Sequence, residues 1–106
     1  MPVDINDSQI KKGILEILIL IVLKKERYGA EIVAELKDQD TDLPEGTLYT
    51  ILSRLNKNNY LTYRWAESTG GPPRKYFKIT KSGQKYLVES LEILNKLNQI
   101  IKKLSQ

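Results

Sequence analysis

The chain contains no cysteine and no histidine among its 106 residues. The first absence excludes disulfides, thiolate metal sites and thiol nucleophiles. The second removes the imidazole, both as a metal ligand and as a proton carrier near neutral pH. A cysteine-free chain fits a reducing compartment, and cytoplasmic is the expected address. Long apolar runs are also lacking. The longest, "ILEILILIVL" from Ile14 to Leu23, is interrupted by Glu16, and its ten residues compare with the roughly 20 needed to cross a bilayer. A short polar leader with no small-residue cleavage site argues against a signal peptide. Carboxylates are plentiful, but no nucleophile, metal set or cofactor loop accompanies them. "STGGPPRK" lacks the Gly-Lys-Ser/Thr ending of a nucleotide-binding loop. No enzyme activity, cofactor or metal is expected.

What remains is a soluble globular composition, 41% hydrophobic and 28% charged. A chain of this length buries roughly 65% of its unfolded surface, enough for one domain. The net charge of +4 is segregated. Residues 28–42 carry −4, from Glu31, Glu35, Asp38, Asp40 and Asp42 against Lys37. Residues 62–80 carry +3, from Arg64, Arg74, Lys75 and Lys78 against Glu67. The stretch from Lys81 onward is again +3. Basic flanks around an acidic segment suit a surface that meets a polyanion, although a basic wet surface has the same composition.

Hydrophobic periodicity orders the elements as helix, helix, helix, strand, strand, helix. Asp7 or Ser8 suits the cap of a first helix running to about Lys25. Its middle is apolar on every face and rich in Ile, so it also reads as a buried strand, but its length favours a helix. Such a helix must be covered on every face, a first indication of a partner subunit. Tyr28-Gly29 breaks the pattern, "AEIVAEL" resumes it with Ile32, Val33 and Leu36 on one side, and the acidic "KDQDTD" ends it. Pro44 fits the first turn of a third helix, where a missing N–H costs nothing. Asn56, Asn58 and Asn59 end that helix near Asn58. "LTYRWAE" and "RKYFKIT" then read as strands around a loop of about six residues, "STGGPP". Phe77 and Ile79 face one way; Tyr76, Lys78 and Thr80 face the other. Thr80 is placed to cap the last helix, on which Leu87, Leu91, Leu94, Leu97, Ile101 and Leu104 recur every three or four residues.

The third helix has two faces. Leu48, Ile51, Leu52 and Leu55 make one apolar stripe. The opposite side carries Thr47, Tyr49, Thr50 and Ser53, with Arg54 and Lys57 at its edges. Three helices followed by a hairpin is the winged-helix arrangement, in which the third helix enters the major groove. A groove about 12 Å wide favours short or flat side chains toward the bases and cations beside them. The hairpin tip resembles a phosphate grip, with Gly70 and Gly71 exposing amides and Arg74 and Lys75 following. Taken singly, a polar helix face is ordinary solvated surface and a Gly-Pro tip is ordinary turn chemistry. Their weight comes from occurring together, in this order. Trp65 reads as an anchor of the hairpin on the core. Tyr28 reads either as a packing residue at a helix start or as a hydroxyl that donates to a phosphate.

"KKGILEILILIVL", "YGAEIVAEL", "PEGTLYTILSRLNKNNYL" and "GGPPRKYFKITKSGQKYL" together resemble the PadR-like family of bacterial transcriptional regulators. The resemblance covers about residues 11–90. The chain looks like the small subgroup with a single C-terminal dimerisation helix. This implies a mainly α fold with a β-hairpin: a winged helix-turn-helix DNA-binding domain over residues 1–80, its wing at about 61–80, and a dimerisation helix over 81–106. It implies a homodimeric repressor of an inverted-repeat operator in double-stranded DNA. Tyr28, Thr47 and Tyr49 fall at family DNA-contact positions, and Arg74 and Lys75 at the base of the wing. Thr50 stands where the family often has Pro, and Asn56, Asn58 and Asn59 stand where Glu and Gly are usual. The alternative reading is a winged helix used as a protein-interaction module.

Dimerisation also follows from apolar area. Leu91, Leu94, Leu97, Ile101 and Leu104 gain about 1.5–3 kcal/mol each when fully buried, against about 4–15 kcal/mol for association. Ile14, Leu18 and Ile21 of the first helix complete the expected interface. The family resemblance implies a small apolar or aromatic effector near that interface. The last helix offers only Tyr86 to stack on one, so a ligand-free repressor set by its own abundance stands beside a ligand sensor.

Overall fold

The structure is a computed structural model and describes residues 10–106. Its elements are α1 (Lys11–Val22), β1 (Arg27–Tyr28), α2 (Gly29–Lys37), α3 (Glu45–Lys57), β2 (Leu61–Ser68), β3 (Gly71–Ile79) and α4 (Lys81–Leu104). The expected caps Asp7 and Ser8 lie outside the described residues. α1 ends at Val22 rather than about Lys25, because the chain leaves it to build β1. That strand was not expected, since two residues are too few to display a period of two. β1 joins the hairpin in a three-stranded antiparallel sheet of order β1-β3-β2, with Arg27 opposite Phe77 and Tyr28 opposite Tyr76.

The helix ends are built from hydrogen bonds that the sequence foreshadowed. At the end of α3, Asn59 takes a left-handed φ of 64°. The Tyr60 amide then donates to the Leu55 carbonyl at 3.0 Å, and the Asn59 amide to Asn56 at 3.0 Å. This is a Schellman closure with Asn in the position usually held by Gly. Asp40, with φ 55°, closes α2 in the same way through the Thr41 amide and the Leu36 carbonyl at 2.9 Å. Pro44 caps α3 from one position before the first turn, its carbonyl accepting from the Leu48 amide at 3.0 Å. Thr80 caps α4 as expected: its Oγ1 accepts from the Gly83 amide at 3.0 Å.

The hairpin turn is tighter than the expected six residues. Ser68 pairs with Gly71, leaving Thr69 and Gly70 as the loop, with Gly70 at φ 75°. Pro72 and Pro73 belong to β3, not to the loop. They sit where the ladder is irregular and beyond the reach of β1, so no neighbour requires their missing N–H.

The core is assembled from all helices and the sheet. Leu15, Ile19, Leu20 and Leu23 are fully buried and meet Ile32, Leu36, Leu48, Ile51, Leu52 and Leu55. Leu61, Phe77 and Ile79 close it from the sheet, and Leu87 from α4. α4 packs on α1 only through its first turns; from Leu91 onward every residue is exposed. The molecule measures 58 × 33 × 19 Å with a radius of gyration of 15.4 Å, against about 13 Å for a compact chain of this length.

Candidate nucleic-acid interface

The two faces of α3 separate as the sequence requires. Leu48, Ile51, Leu52 and Leu55 are at most 2% exposed. Tyr49, Thr50, Ser53 and Lys57 lie outward, and Thr47 is half-buried. The Thr50 hydroxyl donates to the Gly46 carbonyl at 2.9 Å, which leaves only its lone pairs facing out. Arg54 is not the free cation expected at the edge of the helix. Its Nε donates to Glu16 Oε1 of α1 at 3.0 Å, so its charge is opposed by a largely buried carboxylate.

Tyr28 ends β1 and starts α2, its amide donating to Glu31 Oε1 at 3.1 Å. Its ring meets Tyr76 edge-on at 5.4 Å, and the Arg74 guanidinium lies over it at 4.6 Å. The same sheet face continues through Arg64, over Tyr76 at 5.1 Å. Arg64 donates to both oxygens of Glu26, at 2.9 and 2.6 Å. Those hydrogen bonds hold the Glu26 carboxyl below its ordinary range and raise Arg64 above its own. A ladder of charge and aromatic faces thus runs from Glu26 to Arg74 across all three strands.

Strand alternation corrects the picture of Arg74 and Lys75 as one grip. They are neighbours, so their side chains leave opposite faces of β3. Lys75 sends its ammonium over Tyr63 at 3.8 Å, with Trp65 at 5.6 Å and Phe77 at 5.7 Å. Trp65 is 62% exposed and does not anchor the hairpin in the core. Of the two tip glycines only Gly70 is a turn residue; Gly71 opens β3 opposite Ser68. The sequence did contain a signal for the aromatic face, since Tyr63 and Trp65 share a period-2 side that faces Phe77 and Lys75 across the ladder. Nothing local announced Glu16 or Glu26 as partners of arginines 38 residues away.

A cleft of about 570 Å³ gathers most of these groups. Tyr28, Gly29, Leu48, Tyr49, Trp65, Arg74 and Lys75 all line it. It therefore joins the base of the wing to the starts of α2 and α3. Gly29 is buried at its back; a Cβ there would sit 2.9 Å from the Tyr49 hydroxyl. Thr50, Ser53, Arg54 and Lys57 continue the surface along α3.

The expected dimer residues fall into two groups. Leu91, Leu94, Leu97, Ile101 and Leu104 form an exposed stripe, 38–80% accessible. Ile14 and Leu18 are half-buried, Leu18 against the core, and Ile21 is exposed. Ile93 and Ile100 extend the stripe to a groove shared with Glu89, Glu92, Lys96 and Leu97. Tyr86 stacks on Tyr60 at 4.3 Å within the subunit. Among the described residues no acidic, His or Cys cluster could hold a metal ion. No described helix is long and apolar enough to cross a membrane.

A helix-turn-helix with a hairpin wing and a long final helix defines a class of DNA-binding regulator. Sequence comparison makes it specific: residues 17–89 match the profile of the transcriptional regulator PadR-like family. The structure of a PadR-like transcription factor from Bacteroides fragilis superposes with a TM-score of 0.84 at 40% identity, covering 95% of this chain and 99% of that one. A PadR family transcriptional regulator from Eggerthella lenta gives a TM-score of 0.84 at 30% identity, with 90% and 84% covered. An uncharacterised protein of Lysinibacillus sphaericus is 34% identical over 98 residues, 89% of this chain and 90% of that one. The chain belongs to the PadR-like family of transcriptional regulators, and it is not an enzyme.

Proposed function

We propose that this regulator is a cytoplasmic homodimeric repressor that binds an inverted-repeat operator in duplex DNA. Residues 1–80 form the DNA-binding unit and 81–106 the dimerisation helix. α3 enters the major groove with Thr47, Tyr49, Thr50 and Ser53 toward the bases. Tyr28, Arg74 and Lys75 of the cleft, with the Gly70–Gly71 tip, take the phosphates on the wing side, and Lys57 takes a phosphate near the end of α3. Repression follows from occupying the operator, and two subunits make the site palindromic. An apolar effector held between subunits would meet the aliphatic Ile93, Leu97 and Ile100, because Tyr86 is engaged on Tyr60.

The observation that carries this reading is the outward hydroxyl face of α3 continuous with a cationic, aromatic cleft. A protein-docking helix would be expected to present aliphatic anchors there, and this face has none. The test is binding of a mixed-sequence duplex measured by fluorescence anisotropy across salt concentrations. Affinity should fall linearly on log–log axes, and Arg74→Ala should reduce the slope by about 0.9 for each bound subunit, the loss of one phosphate contact apiece. A protein that leaves duplex unbound at low and high salt would not be a DNA-binding repressor.

A further inference from the structure

A second flank of α3 carries cations that the reading above does not use. Three concavities meet along this helix. The first is the cleft at the wing base, and the second is the outer face of α3. The third, of about 430 Å³, lies on the side away from the wing, between the start of α1 and the first turns of α3. Lys11 and Lys12 form one wall of it; Gly46, Thr47, Thr50 and Arg54 are on the other. Tyr49 is shared by the first two concavities, Thr50 and Arg54 by the last two. The surface is therefore continuous, with Arg74 and Lys75 at one end and Lys11 and Lys12 at the other.

A helix lying in the major groove has a phosphate strand on each side of it. The wing supplies cations to one strand. On the far flank the charge of Arg54 is opposed by Glu16, so it is a weak partner for the other strand. Lys11 and Lys12 are in none of the ion pairs among the described residues, which join Arg27 to Glu35, Arg54 to Glu16 and Arg64 to Glu26. Lys12 is exposed and Lys11 half-buried. Glu16, one turn further along α1, is held by Arg54 rather than by Lys12. Gly46 adds no bulk to the facing wall, and a Cβ there would meet nothing within 4 Å.

We infer that Lys11 and Lys12 form a second phosphate clamp, which holds the DNA strand on the side of α3 opposite the wing. This rests on the DNA-binding reading and extends it to α1. The ligand is the phosphodiester backbone of the same duplex, and the contact adds affinity without reading sequence.

The experiment compares Lys11→Gln/Lys12→Gln with Lys24→Gln/Lys25→Gln, which lie just beyond the other end of α1. The two doubles remove equal charge. Lys24 and Lys25 are exposed and line none of the three concavities. With a mixed-sequence duplex, the first double should lower the salt slope by about 1.8 for each bound subunit, the loss of two phosphates per subunit. Lys12→Gln alone should lower it by about 0.9 for each bound subunit. The second double should leave the slope unchanged, and thermal melting followed by circular dichroism should match wild type throughout. Equal slopes for the two doubles would overturn the clamp, since net charge alone would then explain the change. A wild-type protein that does not bind duplex removes the DNA reading itself. Wild-type binding that responds to Arg74→Ala but not to Lys11→Gln/Lys12→Gln removes only the clamp.

Discussion

Thr50 and Tyr49, adjacent on α3, are constrained from different directions. Thr50 gives its proton to the Gly46 carbonyl, so toward a base edge it accepts. The matching donors are the exocyclic amino groups of adenine or cytosine, and its methyl suits the methyl of thymine. Tyr49 leans on Gly29. A Cβ at position 29 would meet the Tyr49 hydroxyl at 2.9 Å, its Cζ at 3.6 Å and a Leu48 methyl at 3.7 Å. The closest obstacle is the free end of a half-exposed side chain, which can swing away at little cost. Gly29→Ala should therefore stay within about 1 kcal/mol of wild type in urea unfolding, helped by the better helix propensity of alanine. Its affinity for an operator selected by the wild-type protein should fall by about 1–3 kcal/mol, the worth of one misplaced base contact. A folded variant with undiminished operator affinity would show that the position of Tyr49 is irrelevant to recognition. The sequence located both residues on the outward face but was silent on their restraints. Those depend on atoms brought together only in the folded chain, as does the Arg54–Glu16 pair that engages a cation at the edge of α3.

Among elements, α4 is the one most tightly specified at its start. Gly83 lies against the turn between α3 and β2, where an added Cβ would come within 2.0 Å of the Tyr60 carbonyl oxygen. That turn cannot easily retreat. The Thr80 amide donates to the Tyr60 carbonyl at 3.1 Å, and the hydroxyls of Thr80 and Ser82 both donate to the Asn59 carbonyl at 2.6 Å. Gly83→Ala should cost about 3 kcal/mol or more in urea unfolding, at or beyond the usual range for overpacking because backbone must move. Gly13→Ala, in α1 with nothing within 4 Å of the new carbon, should gain up to about 1 kcal/mol in the same measurement. Equal effects from the two substitutions would contradict the close approach at Gly83. Most of the element order was legible because the later segments show a clean period, the apolar first helix is too long for a strand, and several elements carry their own caps, Thr80 and Asn59 among them. β1 was not legible, being two residues long and defined only by its partner strand. The length of the hairpin loop was misjudged because prolines usually mark turns, and these two mark an irregular strand end instead.

At the scale of the molecule, the unbalanced feature is the far half of α4. The helix is about 36 Å long at 1.5 Å per residue, and only its first turns are held by the body. It does not fold back on its own domain, and its apolar stripe lies uncovered in the single chain; the proposed dimer would cover it. Leu91, Leu94, Leu97, Ile101 and Leu104 from two copies could contribute up to about 15–30 kcal/mol if fully buried, against an association cost of about 4–15 kcal/mol. Half-burial gives about 7.5–15 kcal/mol, which overlaps the association cost, and Ile93 and Ile100 add to it. Leu94→Glu/Leu97→Glu places two carboxylates in the middle of that stripe while leaving every core residue intact. Sedimentation should then report a monomer for the variant and a dimer for the wild type. The consequence for DNA is selective. Joining two half-site readers raises avidity by about 10²–10⁴ through effective concentration alone. The monomeric variant should lose that factor on an inverted repeat yet bind a single half-site as the wild-type subunit does. A variant that remains dimeric would move the subunit contact elsewhere. A monomer with undiminished inverted-repeat affinity would sever dimerisation from recognition.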